Sequence, residues 1–348
     1  MAASASNSDA LEAFAVHGGR LAEARRRFAA SPQPWIDLST GISPHPYPAG
    51  PADAAARARL PDPDETAALE QVAAQAFGAP ADCVMASAGA EAAVRLLASV
   101  LSARRIGVVE PTYSGHAEAW RAAGASVIGL PRRDLSVMAK AFDVLVVVNP
   151  NNPDGAITSP DDLQALADQM ARRDGWLIVD EAFAEAAPQV SLASRLGGAW
   201  RAERLIVLRS FGKFYGLPGV RLGFVLARAD WLARLRRRQG PWPVSADAIA
   251  SGLSAYADQS WAAQARMRLA QDAQRLDRLL HRAGLDVVGG TCLFRLVDDA
   301  GAHARFAALA NAGVLTRPFA YNPRWLRLGL PSEAAWPRLE AALLEPIR

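Results

Sequence analysis

The residues able to do chemistry stand in groups at the ends of apolar runs. Only two of the 38 lysines and arginines are lysine, Lys140 and Lys213. Lysine is the side chain whose amine condenses with an aldehyde. Arginine stays protonated and cannot take its place. Lys213 closes the segment Ser210-Phe211-Gly212-Lys213, directly after the apolar run Leu205–Arg209, and Arg221 follows eight residues on. Lys140 has no such context and is expected to face solvent. Two more apolar runs end in polar clusters. Val144–Val148 leads into Asn149-Pro150-Asn151-Asn152-Pro153-Asp154-Gly155, and Trp176–Val179 into Asp180-Glu181. Three such endings in succession point to one active site.

Those residues need a scaffold that brings the run ends together. The runs Arg105–Val109, Val144–Val148, Trp176–Asp180, Leu205–Arg209 and Leu222–Leu226 are short, apolar and rich in β-branched residues. Helical periodicity lies between or beside them, over Glu91–Leu101, Ser114–Ala123, Pro160–Arg173 and Asp230–Arg238. Continuous apolar strands alternating with helices predict an α/β fold, with a mostly parallel sheet sandwiched by helices. Ligands of such sheets bind outside the carboxyl ends of the strands. After the break at residues 236–243, a long helix to about Arg282 and short strands near Leu293–Val297 and Trp325–Leu330 predict a smaller α+β domain. The expected division is an N-terminal arm over 1–50 that packs with the small domain, a large domain over 51–238 and a small domain over 239–348.

Composition excludes several classes. A chain of 348 residues suggests roughly two domains. It is long enough to bury a core without a disulfide or metal staple. Cys83 and Cys292 form no CxxC or metal-ligand spacing, so no metal is expected and a reduced, cytoplasmic protein is the plain expectation. No apolar run approaches the roughly 20 residues needed to span a bilayer, so no membrane partner is expected. Met1–Ala10 lacks the features of a signal peptide and is expected to be a short disordered tail. A net charge of +3, without basic blocks interleaved with aromatics, gives no nucleic-acid footprint. The excess of arginine over lysine looks like a genomic bias.

The segment around Lys213 resembles the Schiff-base lysine segment of fold-type I enzymes dependent on pyridoxal 5'-phosphate. The likeness falls in the histidinol-phosphate-aminotransferase-like branch of the class I/II aminotransferases and covers nearly the whole chain. It implies the fold-type I transferase fold and a set of cofactor residues. Lys213 would carry the cofactor, and Ser210 and Arg221 would bind its phosphate. Ser87-Ala88-Gly89-Ala90-Glu91 resembles the family's phosphate cup, with the amides of Ala90 and Glu91 as donors at a helix N-terminus. Asp180 would keep the ring nitrogen protonated, Asn152 would donate to the ring oxygen, and Tyr113 of Pro111-Thr112-Tyr113 would stack on the ring.

Within this branch the chain resembles the L-threonine-O-3-phosphate decarboxylases of cobalamin biosynthesis. His17-Gly18-Gly19, Asp37-Leu38-Ser39-Thr40-Gly41-Ile42-Ser43-Pro44, the stretch from Arg209 to Phe224, Pro241-Trp242-Pro243-Val244, Val314-Leu315-Thr316-Arg317 and Trp325-Leu326-Arg327-Leu328 carry this likeness. It implies a small phosphorylated amino-acid substrate with two anionic ends and a homodimer. Arg327 matches the family's carboxylate arginine; Arg317 and His17 are the candidates for the substrate phosphate, and which anion each arginine holds stays open. Lys213, Tyr113 or a water would return the proton after carbon dioxide leaves. The alternative is an aminotransferase for histidinol phosphate or a related amino acid. Two positions depart from the wider family. Phe183 stands where related aminotransferases have a tyrosine that bonds the ring oxygen, as it does in the decarboxylase likeness. Leu60 stands where members often carry a tyrosine reaching the partner subunit's cofactor phosphate.

Overall fold

The computed structural model of the protein describes residues 13–133, 135–198, 200 and 202–346. The tail expected over Met1–Ala10 lies outside them. The chain divides into two compact units, Pro46–Gln264 and Met1–His45 with Ala265–Arg348.

The larger unit is built on a seven-stranded sheet. Across it the strands run Val84–Ser87, Gly223–Leu226, Leu205–Ser210, Trp176–Asp180, Val144–Val148, Arg105–Val109 and Ser126–Leu130. Gly223–Leu226 is antiparallel to both of its neighbours, and the other six strands share one direction. Val144–Val148 is buried at every position, which explains its unbroken apolar sequence: successive side chains point to opposite faces, and both faces are covered. On one face Ile106, Val108, Val146, Ile178 and Leu208 pack with residues of helices Ala90–Val100, Ser114–Ala122 and Ala229–Gln239. On the other, Phe224 meets Phe77 of helix Pro63–Phe77 and Tyr256 of helix Ala246–Ala257, edge to face at 5.5 Å in both cases. Helix Pro63–Phe77 shows how local sequence sets an element's ends. Asp62 and Glu65 form a reciprocal capping box at its start, and Gly78 ends it in the left-handed region at φ 69°.

The predicted elements match the observed ones to within one or two residues, with two strands of this sheet unforeseen. Val84–Ser87 is only four residues long and carries one β-branched residue. Ser126–Leu130 is an edge strand, largely exposed and interrupted by Gly129, so it lacks the apolar continuity of its buried neighbours. The domain cut predicted after residue 238 also moves. Helix Ala246–Ala257 packs so closely on helix Pro63–Phe77 that a Cβ on Gly252 would lie 2.5 Å from Leu69 Cδ1. Residues 239–264 therefore group with the larger unit.

The smaller unit holds a four-stranded antiparallel sheet in the order Arg317–Pro318, Trp325–Gly329, Phe294–Asp298, Asp286–Thr291. Its N-terminal segment is tied in by parallel pairing of Ile36–Asp37 with Val314–Leu315. Phe14, Phe28, Trp35 and Phe306 pack ring to ring in its core. Among the described residues no helix is long and apolar enough to cross a membrane.

Candidate active site

Sheet register brings the sequence-predicted residues of the larger unit to one edge. Ser87 pairs with Gly223, and Gly223 with Ser210, so three adjacent strands end level. Asp180 ends the next strand. Lys213 lies in the single helical turn Phe211–Phe214 that follows Ser210. Phe211 and Phe214 are fully buried and anchor this turn, while Lys213 is half-buried between them. Its Nζ stands 5.8 Å from the centre of the Phe183 ring. Gly212 allows a close approach here, since a Cβ would lie 2.6 Å from Pro218 Cα.

The segment expected to form the phosphate cup takes its shape from backbone. Gly89, at φ 88°, caps helix Ala90–Val100 and brings no side-chain acceptor to its first amides. The first amides of an eleven-residue helix thus present partial positive charge. A Cβ on Gly223 would lie 2.6 Å from Ala90 N, and one on Gly89 would lie 2.8 Å from Arg221 Nη2. Glycine at both places lets strand, cup and guanidinium close on one spot. Arg221 itself sits in the left-handed region at φ 59° and is steadied by Nη1 donating to the Pro218 carbonyl at 3.1 Å. Helix amides, the Ser210 hydroxyl and a guanidinium at one sheet edge form a donor set suited to a dianionic phosphate. The residues present therefore fit the phosphate end of pyridoxal 5'-phosphate.

Asp180 is buried and doubly oriented. His116 Nε2 is 2.8 Å from its Oδ2, and the Ala182 amide donates to Oδ1 at 3.0 Å. His116 was missed in the sequence. Its signal was positional: it falls among Ala117, Ala119 and Trp120, the inward positions of helix Ser114–Ala122. Asn151 was also missed. Its side chain donates to the Pro111 carbonyl at 2.9 Å and to Asp154 at 2.8 Å, and accepts from the Thr112 hydroxyl at 2.6 Å. It thereby fastens the Pro111-Thr112-Tyr113 segment to the turn that carries the half-buried Asn152. The Tyr113 hydroxyl donates to Glu91 at 3.0 Å, so Glu91 brings a side chain to this site as well as an amide.

Glu181, adjacent to Asp180 in sequence, turns to the opposite face. There Arg209 Nη1 donates to Glu181 at 2.8 Å and Nη2 to Glu185, Tyr256 donates to Glu185 at 3.2 Å, and the Leu192 amide donates to Glu181 at 2.7 Å. The Arg209 guanidinium also lies 4.6 Å from the Phe77 ring centre. Burial pushes both carboxyls above the usual carboxylate range, against the pull of Arg209. This network ties the strand before Lys213 to the loop after Asp180.

His17, Arg317 and Arg327 all belong to the smaller unit. Arg317 and Arg327 face each other across antiparallel strands. Arg327 is buried and its Nη2 donates to the Ser39 carbonyl at 2.7 Å; Arg317 Nη2 donates to the Val16 carbonyl at 2.5 Å, next to His17. Gly18 presses on the same Ser39, where a Cβ would lie 2.4 Å from the carbonyl oxygen, and the Gly19 amide donates to Ser39 Oγ at 2.7 Å. The exposed His17 is thus held beside the arginine pair by its own backbone. Burial first, and the charge of Arg317 second, push the Arg327 pKa down to about 9. Like charges directly opposed on a sheet repel, and an anion bound to both reverses that sign. Leu60 is 61% exposed and offers no donor. Lys140 is exposed. Among the described residues no group of His, Cys, Asp and Glu could hold a metal ion.

Comparison with known proteins bears on this arrangement. The family model for aminotransferase class I and II matches residues 35–342. The threonine-phosphate decarboxylase of Pseudomonas aeruginosa is 44% identical over 329 residues, covering 94% of this chain and 97% of its own. That of Sinorhizobium sp is 37% identical over 324 residues, covering 93% and 95%. The structure of histidinol-phosphate aminotransferase from Sinorhizobium meliloti in complex with pyridoxal-5'-phosphate superposes with a TM-score of 0.79 at 21% identity, covering 99% of this chain and 98% of that one. On that family match and those identities, the chain belongs to the class I and II aminotransferase family.

Proposed function

We propose that the protein decarboxylates L-threonine O-3-phosphate to (R)-1-aminopropan-2-yl phosphate and carbon dioxide, the cobalamin-pathway reaction, with pyridoxal 5'-phosphate held at Lys213. The observation that carries the reading is the directly opposed Arg317–Arg327 pair beside His17. It suits a substrate with two anionic groups, a carboxylate and a phosphate. The likeness to two threonine-phosphate decarboxylases supports the same choice.

When bound, the cofactor supplies an aldehyde for the substrate amine and a protonated ring that takes up the electron pair left by the departing carboxylate. Lys213 would be the amine that holds the cofactor. Ser210, Arg221 and the amides of Ala90 and Glu91 hold the cofactor's phosphate. Asp180, fixed by His116 and the Ala182 amide, would accept the hydrogen bond of the ring nitrogen and keep its proton in place. Asn152 would donate to the ring oxygen; Phe183 has no hydroxyl with which to share that task. The arginine pair and His17 would bind the two anionic groups of the substrate. Lys213 Nζ would supply the proton that the α-carbon takes up. The working unit is a homodimer in this reading, and its mass in solution by light scattering tests that part.

The decisive assay measures carbon dioxide from L-threonine O-3-phosphate with no 2-oxoacid present. Stoichiometric release supports decarboxylation. Transfer of the amino group to 2-oxoglutarate without carbon dioxide would replace it by an aminotransferase. For the substrate phosphate, His17→Ala should raise KM for threonine phosphate about tenfold, the scale of one charged hydrogen bond. The same variant should leave the binding of unphosphorylated threonine unchanged. Equal effects on both would remove His17 from the phosphate site.

A further inference from the structure

We infer that the Glu91 side chain is a positioning residue, which tethers the Tyr113 ring at the cofactor site and holds the phenol proton out of the reaction. The inference rests on the reading of Tyr113 as the aromatic that stacks on the cofactor ring. It assigns a second role to a residue whose amide alone was expected to act.

The geometry gives each oxygen of the Glu91 carboxylate one partner. Arg95, one helical turn on, sits 2.7 Å from Oε1, and the Tyr113 hydroxyl donates to Oε2 at 3.0 Å. The arginine thus fixes the carboxylate, and the carboxylate fixes the phenol. On its other side the Tyr113 ring lies against Gly115, where a Cβ would be 2.4 Å from Cε1. It also meets His116 edge-on, at 6.1 Å between ring centres. Since His116 also bonds Asp180, the stacking ring and the ring-nitrogen partner share one support. Through Glu91, both are joined to the phosphate cup.

The same contact bears on proton transfer. The acidic groups acting on the phenol are Glu91 from the cup helix, Asp180 from its strand and Glu118 from the helix that follows Tyr113. Burial first, then the Glu91 charge, push the Tyr113 pKa well above the ordinary phenol value. A phenol that donates to a carboxylate and is so weakly acidic is mismatched to deliver a proton near neutral pH. Of the donors considered for the α-carbon, Tyr113 therefore drops out.

The test begins with the cofactor-free protein. Phenolate absorbance against pH, taken as wild type minus Tyr113→Phe, isolates the Tyr113 titration. In Glu91→Gln, whose amide oxygen still accepts the hydrogen bond, Tyr113 should titrate at lower pH than in wild type because the charge is gone. Affinity for pyridoxal 5'-phosphate, followed by fluorescence quenching, should fall about tenfold in Glu91→Ala and recover most of that in Glu91→Gln. The Glu91→Ala/Tyr113→Phe double variant should be no weaker than either single variant, as expected for residues acting through one contact. An unchanged Tyr113 titration in Glu91→Gln, or additive losses in the double variant, overturns the tether. A shifted titration with undiminished cofactor affinity in Glu91→Ala overturns instead the stacking role of Tyr113, and the inference with it.

Discussion

Lys213→Ala is expected to stop turnover, with a fall of about ten-thousand-fold or more, because on the proposed reading it removes both the covalent handle for the cofactor and the acid that returns a proton to the α-carbon. The fold should survive. Lys213 is half-buried, and the packing of its helical turn comes from Phe211 and Phe214. Thermal midpoints should be compared between cofactor-free proteins, since a bound ligand stabilises by mass action. In that comparison the variant should match the wild type closely. Borohydride reduction followed by peptide mass analysis gives a readout free of activity. The wild type should carry the cofactor fixed at Lys213, and the variant should carry none. A cofactor fixed at Lys140, the exposed lysine of the turn Ala139–Ala141, would overturn the assignment.

Asp180→Asn should lower kcat by about a hundred- to a thousand-fold, the scale of losing one preorganised electrostatic partner, with little change in KM. The substitution keeps shape and can still bond His116. On the proposed reading it removes the charge that holds the ring nitrogen protonated, which is the condition for the cofactor to accept electrons. His116→Ala should follow in the same direction with a smaller fall, because the Ala182 amide still orients the carboxylate. Steady-state kinetics on threonine phosphate check both. A kcat for Asp180→Asn within threefold of wild type would exclude Asp180 as the ring-nitrogen partner.

Much of the larger unit was legible because its central strands are buried on both faces. Burial of that kind writes a continuous apolar run, as in Val144–Val148, and the run is visible without knowing what covers it. Edge strands carry no such mark. Ser126–Leu130 and Asp286–Thr291 are partly exposed and contain glycines, so each reads as loop. The domain cut was misplaced for a different reason. The run at residues 236–243 looks like a linker, and only the packing of Gly252 on Leu69 shows which unit the next helix joins.

The sequence by itself, through the family resemblance it carries, marked the candidate groups: the lone contextual lysine, the serine three before it, the arginine eight after it, the aspartate at a strand end and the glycine at a helix start. Each is recorded locally, by residue type and spacing over a short stretch of chain. Tertiary structure alone shows where the acid next to Asp180 goes. Asp180 and Glu181 differ by one position, and the pleat sends them to opposite faces, one to His116 and the other to Arg209. It also decided that Arg317 and Arg327, ten positions apart, oppose each other, and that the Glu91 side chain reaches Tyr113. Pairings of that kind depend on strand register and on helix placement over the sheet. Both are set by how distant segments pack, and no local pattern in the chain encodes them.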